Sequence, residues 1–87
     1  MKILDLVLKH KWYDMIKSGE KPEEYRERKP YWAKRIERHY YTHVRFHRGY
    51  TSTTMMFEIK DICEGLGNPH WGAPDKEVYI IKLRKRI

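Results

Sequence analysis

Cysteine is almost absent: one residue, Cys63, in 87 excludes an intramolecular disulfide and any cysteine-rich zinc module, and it fits a reducing compartment. Cys63 falls in the apolar pattern Phe57, Ile59, Ile62 and reads as a small core residue rather than a nucleophile. Long hydrophobic runs are missing too. The apolar stretch near the amino terminus, Ile3 to Leu8, is interrupted by Asp5 and closed by Lys9. It is too short for a signal peptide and far too short to span a bilayer, so a cytoplasmic protein with no membrane association is expected. Acidic residues are outnumbered, twelve against nineteen Lys and Arg, which leaves a formal charge of +7 and a sequence pI near 9.6. That profile suits a nucleic-acid binder, although a merely solvated basic surface gives the same count. There is no internal repeat and no low-complexity segment.

What is present suffices for one small domain. Size scaling has such a chain bury roughly 65% of the surface it exposes when unfolded. Seven Tyr, three Trp and two Phe exclude a disordered tail and supply rings for base stacking beside the cations.

Residues 2 to 9 alternate as a strand with Leu4, Leu6 and Leu8 on its core face. From Lys11 the period changes: Trp12, Met15 and Ile16 fall at helical spacing, and Gly19 followed by Pro22 ends that helix. A polar strand, Glu23 to about Arg28, comes next, with Tyr25 as its one large apolar body. Pro30 suits the first position of a second short helix with Trp32, Ala33 and Ile36 inward and Lys34, Arg35 and Arg38 outward. Tyr40 to Arg48 and Thr54 to Ile62 form a hairpin turned at Gly49. Gly65 to Asp75, with three Gly and two Pro, reads as a loop centred on Trp71. Glu77 to Arg84 is a strand apolar on both faces, followed by more positive charge at Lys85 and Arg86.

Several candidate sites weaken on inspection. His39, His43 and His47 recur every four residues, but on a strand such positions lie about 13 Å apart, beyond one coordination sphere. No metal and no cofactor is expected. The Gly65 to Gly72 loop lacks the Gly-Lys-Ser/Thr ending of a phosphate cradle, and Trp71 breaks the spacing of a dinucleotide fingerprint. A loop Trp is either a hydrophobic plug or a stacking platform, and the plug is favoured because buried aromatics dominate small cores.

Lys21, Glu24 and Arg26 carry more weight. As exposed ion pairs they would contribute only about 0 to 1 kcal/mol. Yet they follow a helix-stopping glycine, on a strand without the apolar face its neighbours possess. A carboxylate between two cations stays ionised and can accept from the amino edge of a base, while the cations hold phosphate.

At these residues the chain resembles the ASCH domain family, whose hallmark G-x-K-x-x-E-x-R is matched by Gly19, Lys21, Glu24 and Arg26. The resemblance covers most of the chain and implies an α+β fold, a small PUA-like mixed β-barrel of about five to six strands with two short helices. It also implies a cleft between the first helix and the motif strand that binds RNA or a nucleotide. Many relatives carry Thr after the motif Lys, where this chain has Pro22 and so lacks a hydroxyl and a backbone donor. In a subgroup resembling amidohydrolases of acylated cytidine, a Thr stands at the position of Glu24. With Glu24 there, the hydroxyl nucleophile is missing and Lys21 stays protonated, which counts against that hydrolysis.

The leading expectation is therefore an RNA- or nucleotide-binding module. Lys21, Arg26 and Arg28 offer positive charge, Glu24 reads a base or ribose hydroxyl, and Trp12, Tyr50 or Trp71 stacks. One alternative is an enzyme with Lys21 and Glu24 catalytic and Glu58 beside them, either a nucleoside amidohydrolase acting on acylated nucleosides or a metal-independent ribonuclease recruiting His43 or His47 as acid and base. The other is a protein-interaction module anchored by the Trp71 loop.

Overall fold

A computed structural model describes residues 1–87. Strand β1, Ile3–Leu8, buries Leu4, Leu6 and Leu8 and turns Asp5 and Val7 outward, as its alternation requires. Helix α1, His10–Ser18, packs Tyr13 and Ile16 onto the sheet. Tyr13, not the flanking Trp12, is the fully buried ring of the helix; Trp12 sits at its margin. Gly19 closes α1 with φ of 88°, a left-handed backbone that a β-carbon would strain, and its N–H reaches the Ile16 carbonyl at 3.1 Å.

Strand β2, Glu23–Glu27, and helix α2, Pro30–Ile36, follow. β3 spans His43–Arg48, starting later than its sequence suggested: Tyr40 to Thr42 lie outside the ladder, and Thr42 hydrogen-bonds the backbone of Lys2 instead. β4, Thr54–Leu66, is longer than expected by four residues. Gly65 and Leu66, assigned to the loop by their composition, instead pair with Val78 and Glu77. Only Gly67 to Lys76 is left as a connection, with one 3-10 turn at Pro69–Trp71. β5 runs Glu77–Arg86 and buries Val78, Tyr79, Ile80 and Ile81 in succession, as a strand covered on both faces should.

The five strands form one mixed sheet in the order β1-β3-β4-β5-β2, with β1 and β3 parallel and the other pairs antiparallel. Its curl originates in β4. The first half of β4 pairs with β3 and the second with β5, and register shifts between Phe57 and Asp61 bend the strand where it changes partner. The result is a half-barrel of five strands. β1 and β2 are its edges, and no backbone ladder joins them. The chain is thus a small α+β domain, a curled five-strand mixed sheet with two helices, compatible with a small barrel-like fold.

Two apolar clusters hold it together. The larger lies inside the curl, where Leu4, Leu6, Val44, Phe46 and Ile81 meet α1. Fully burying one such side chain contributes about 1.5–3 kcal/mol. The smaller, Tyr25, Ala73, Val78 and Ile80, with Cys63 and Trp71 against it, pins the Gly67 to Lys76 connection to the other face of β5.

Candidate nucleic-acid interface

The site is the seam between the two sheet edges. On β2, Glu24 and Arg26 share one face and project into the gap. Arg26 spans it: Nη2 donates to the Val7 carbonyl of β1 at 3.1 Å, while Nη1 donates to the Tyr25 carbonyl at 2.7 Å and to the Glu24 carboxylate. One guanidinium therefore stands where a closed barrel would have ladder hydrogen bonds. It also lies 5.1 Å from the centre of the Trp32 ring, which faces it from α2.

Lys21 sits below. It is 1% exposed, buried more completely than any leucine of the core except Leu6, and its Nζ reaches Glu24 Oε1 at 3.0 Å and the Trp71 carbonyl at 2.5 Å. The rings of Tyr25 and Trp12 close around the ammonium at 4.5 Å and 5.3 Å. Burial pulls the Lys21 ammonium below the ordinary lysine value, and the Glu24 carboxylate opposes that shift. Glu24, 5% exposed, thus accepts from a cation on each oxygen. Removing one partner from such a cluster typically costs about 3–5 kcal/mol, because the charges left behind have no water to turn to.

The loop above is fixed by the same residues. The Tyr25 hydroxyl donates to Glu23 at 2.7 Å and accepts from the Asn68 N–H at 3.0 Å. Burial, with the Glu23 acceptor adding to it, raises the Tyr25 phenol far above its usual value. Gly67 lies flat on that ring, where an added β-carbon would stand 2.5 Å from it. Trp71 packs its body against the smaller cluster, as a plug does, and also borders the cleft.

Over this foundation opens a cleft of about 770 Å³. Trp12, Tyr50 and Trp71 border it, with Glu24 and Arg26 in its floor. Sequence reasoning missed the wall contributed by α2 and by the start of α1: Tyr31, Trp32, Arg35, Lys29 and Lys9. A signal for part of it was available. Tyr31 and Arg35 are four apart on a helix, a spacing that places one over the other, and the guanidinium lies 4.8 Å from the ring centre. Lys9 and Arg35 form no ion pair, whereas the acids bordering the cleft are engaged. Asp5 is held by Arg45 and His47 at 2.6 and 2.8 Å, and the Arg45 contact keeps its carboxyl below the usual range against a smaller effect of burial.

Three proposed participants stand elsewhere. Arg28, past the end of β2, pairs with Glu64 and Glu77 at 3.1 and 3.6 Å and does not border the cleft. His47 bonds Asp5 on the outward face of β3, and His43 bonds the Thr42 hydroxyl at 2.7 Å. Lys21 belongs to the network but does not border the opening, so a ligand would meet Arg26, Lys9 and Arg35 before it. No Ser, Thr, Cys or His borders the cleft, and no three His, Cys, Asp or Glu side chains are grouped to hold a metal ion. No helix is long and apolar enough to cross a membrane.

A scan of protein-family models finds no match to this chain, and neither curated proteins nor solved structures contain a match.

Proposed function

We propose that this chain is an RNA- or nucleotide-binding module of the ASCH type, a PUA-like half-barrel working in the cytoplasm, with the seam cleft as its binding site. The observation that carries the reading is the Lys21–Glu24–Arg26 network, assembled out of water beneath a cleft walled by aromatic rings and unpaired cations. A buried ionic cluster contributes little net stability over an apolar one of the same shape, so fold alone is a weak reason to place it there. Holding a guanidinium at a fixed position under a concave surface is a better one.

The roles divide by exposure. Arg26, positioned by Glu24 and Val7, offers its remaining donors from the floor, and Lys9 and Arg35 supply phosphate contacts from the rim. Tyr31, at 56% exposure, and Tyr50, at 98%, are the rings open enough to stack on a base, with Trp32 behind them. Trp12 is less free, with Lys11 over its ring at 4.7 Å and Gly72 against it.

The test is fluorescence anisotropy with labelled single-stranded RNA across a salt series. Binding that weakens steeply with salt, and about tenfold further in a Lys9→Ala/Arg35→Ala protein, is the expected result. Absence of binding at low ionic strength, or capture of a protein that survives nuclease treatment in its place, overturns the reading.

A further inference from the structure

Helix α2 is held to the sheet more lightly than α1. Of its seven residues only Ile36 is buried, and Ile36 belongs to neither apolar cluster. Its one apolar side chain packed against the larger cluster is Trp32, half-buried, whose ring also faces Arg26. Helix α1, by comparison, sinks both Tyr13 and Ile16 into that cluster. From Pro30 to Tyr41 no backbone hydrogen bond reaches the sheet. Hollows lie on two faces of α2. Tyr31 and Arg35 border the 770 Å³ cleft, whereas Pro30, Ala33 and Glu37 border a hollow of about 560 Å³, and another of about 620 Å³ reaches Ile36 and Glu37. An element with few buried apolar contacts and open space on two faces lies at the low end of local stability.

Both ends of the helix have the backbone of a pivot. Before it, Lys29 is extended, with φ of −108° and ψ of 161°. Beyond it, Glu37 returns to an extended conformation and Arg38 takes φ of 64°, the one non-glycine residue in the left-handed region. A β-carbon makes that region costly, and such strain persists where the surrounding structure holds it. What holds it here is two hydroxyls behind the helix. The Tyr79 hydroxyl of β5 donates to Glu37, and the Tyr41 hydroxyl donates to the Arg35 carbonyl at 2.6 Å. Tyr79 is buried and Tyr41 packs against the larger cluster; both border the 620 Å³ hollow and neither borders the cleft. On the cleft side Tyr31 and Arg35, stacked as a pair, form no hydrogen bond or ion pair with the opposite wall of Lys9, Trp12 and Tyr50.

We propose that α2 is a lid: it pivots at Lys29 and Arg38 toward the wall of Lys9 and Tyr50, bringing Tyr31 and Arg35 onto a nucleotide in the cleft, and the Tyr41 and Tyr79 hydroxyls are the latch that keeps it open. This role rests on the nucleic-acid reading of the cleft and deepens it, because binding becomes a closure. The contacts of Tyr31 and Arg35 with the ligand exist only in the closed position and the latch bonds only in the open one, so ligand and latch bias the same equilibrium in opposite directions. A latch therefore weakens binding, whereas a prop that kept a fixed wall in place would strengthen it.

The sign of the latch effect is the test. The proteins are the parent and a Y41F/Y79F variant whose fold is checked by circular dichroism, and the probe is a labelled single-stranded RNA of mixed sequence. By anisotropy, Y41F/Y79F should bind the RNA about 5 to 50 times more tightly than the parent, the factor expected when two net hydrogen bonds are removed from the open state alone. Tyr41→Phe by itself should act in the same direction by about 2- to 10-fold, and it carries the test should the double variant not fold. Hydrogen exchange followed by mass spectrometry should find the amides of residues 31–41 exchanging at least about ten times faster than those of α1 in the free parent, and slowed when RNA is saturating. Binding by the tyrosine variants that equals or falls below the parent's overturns the lid and makes the two hydroxyls props of a fixed wall. RNA binding that leaves exchange at residues 31–41 unchanged also overturns the lid, and the cleft reading stands. Failure of the parent to bind RNA at all removes the cleft reading and the lid with it.

Discussion

The two cationic regions of this protein could hardly be handled more differently. Lys21 is taken out of water and Arg26 largely so, and together they are given a shared carboxylate, three carbonyls and three aromatic rings. Arg84, Lys85 and Arg86, on a neighbouring strand, are left with water alone. The contrast separates two uses of positive charge. A buried cation tied to a shared carboxylate is a positional device, whose removal is felt by the fold. An exposed, unpaired one leaves the fold indifferent and acts only at a distance or on a partner.

The sharpest way to break the comparison is to remove the shared carboxylate. Glu24→Gln leaves the buried Lys21 and the partly exposed Arg26 without a counter-charge, and urea unfolding should show a loss of about 3–5 kcal/mol. A Lys21→Met/Glu24→Leu protein should recover part of that loss, because the fully buried Lys21 charge then leaves with the carboxylate and only the partly exposed Arg26 loses its partner. Equal losses in the single and double variants would mean the pair is not coupled.

Next in size is the support of the loop. Gly67→Ala drives a methyl to 2.5 Å from the Tyr25 ring and 2.7 Å from the Ala73 β-carbon, and overpacking of this kind costs about 1–3 kcal/mol by the same measurement.

A smaller effect concerns pH. The native state raises the Tyr25 phenol, so its contribution is fully present below the unfolded tyrosine pKa of about 10 and is lost as pH rises beyond it. Stability followed from pH 9 to 11 should fall, and should fall less in Tyr25→Phe. The smallest change belongs to the other region. R84Q/K85Q/R86Q should alter unfolding free energy by no more than about 0.5 kcal/mol per site, and a larger loss would show that these cations are structural after all.

Much of the architecture was legible residue by residue. Leu4, Leu6 and Leu8 alternate, Gly19 and Pro22 stop α1, Pro30 starts α2, and the unbroken Val78 to Ile81 run announces a strand covered on both faces. These signals are local. What they missed was set by partners distant in sequence. Gly65 and Leu66 belong to β4 because Val78 and Glu77 lie beside them, which outweighs a composition that favours a loop. Tyr13 is core and Trp12 is margin because of how α1 is rotated on the sheet. Arg28 looked like a member of the charged cluster, yet Glu64 and Glu77 draw it to the opposite side.

By itself, then, the sequence determined the strands and helices, the excess of positive charge, and the adjacency of Lys21, Glu24 and Arg26, since periodicity, capping and composition all act over a few residues. Tertiary structure alone decided that this motif faces a seam, that Val7 and Trp71 complete it from 19 and 50 residues away, and that α2 walls the opening. The physical reason is that burial and counter-charge are properties of a place. Bends in β4 create that place by bringing two sheet edges near each other without letting them join.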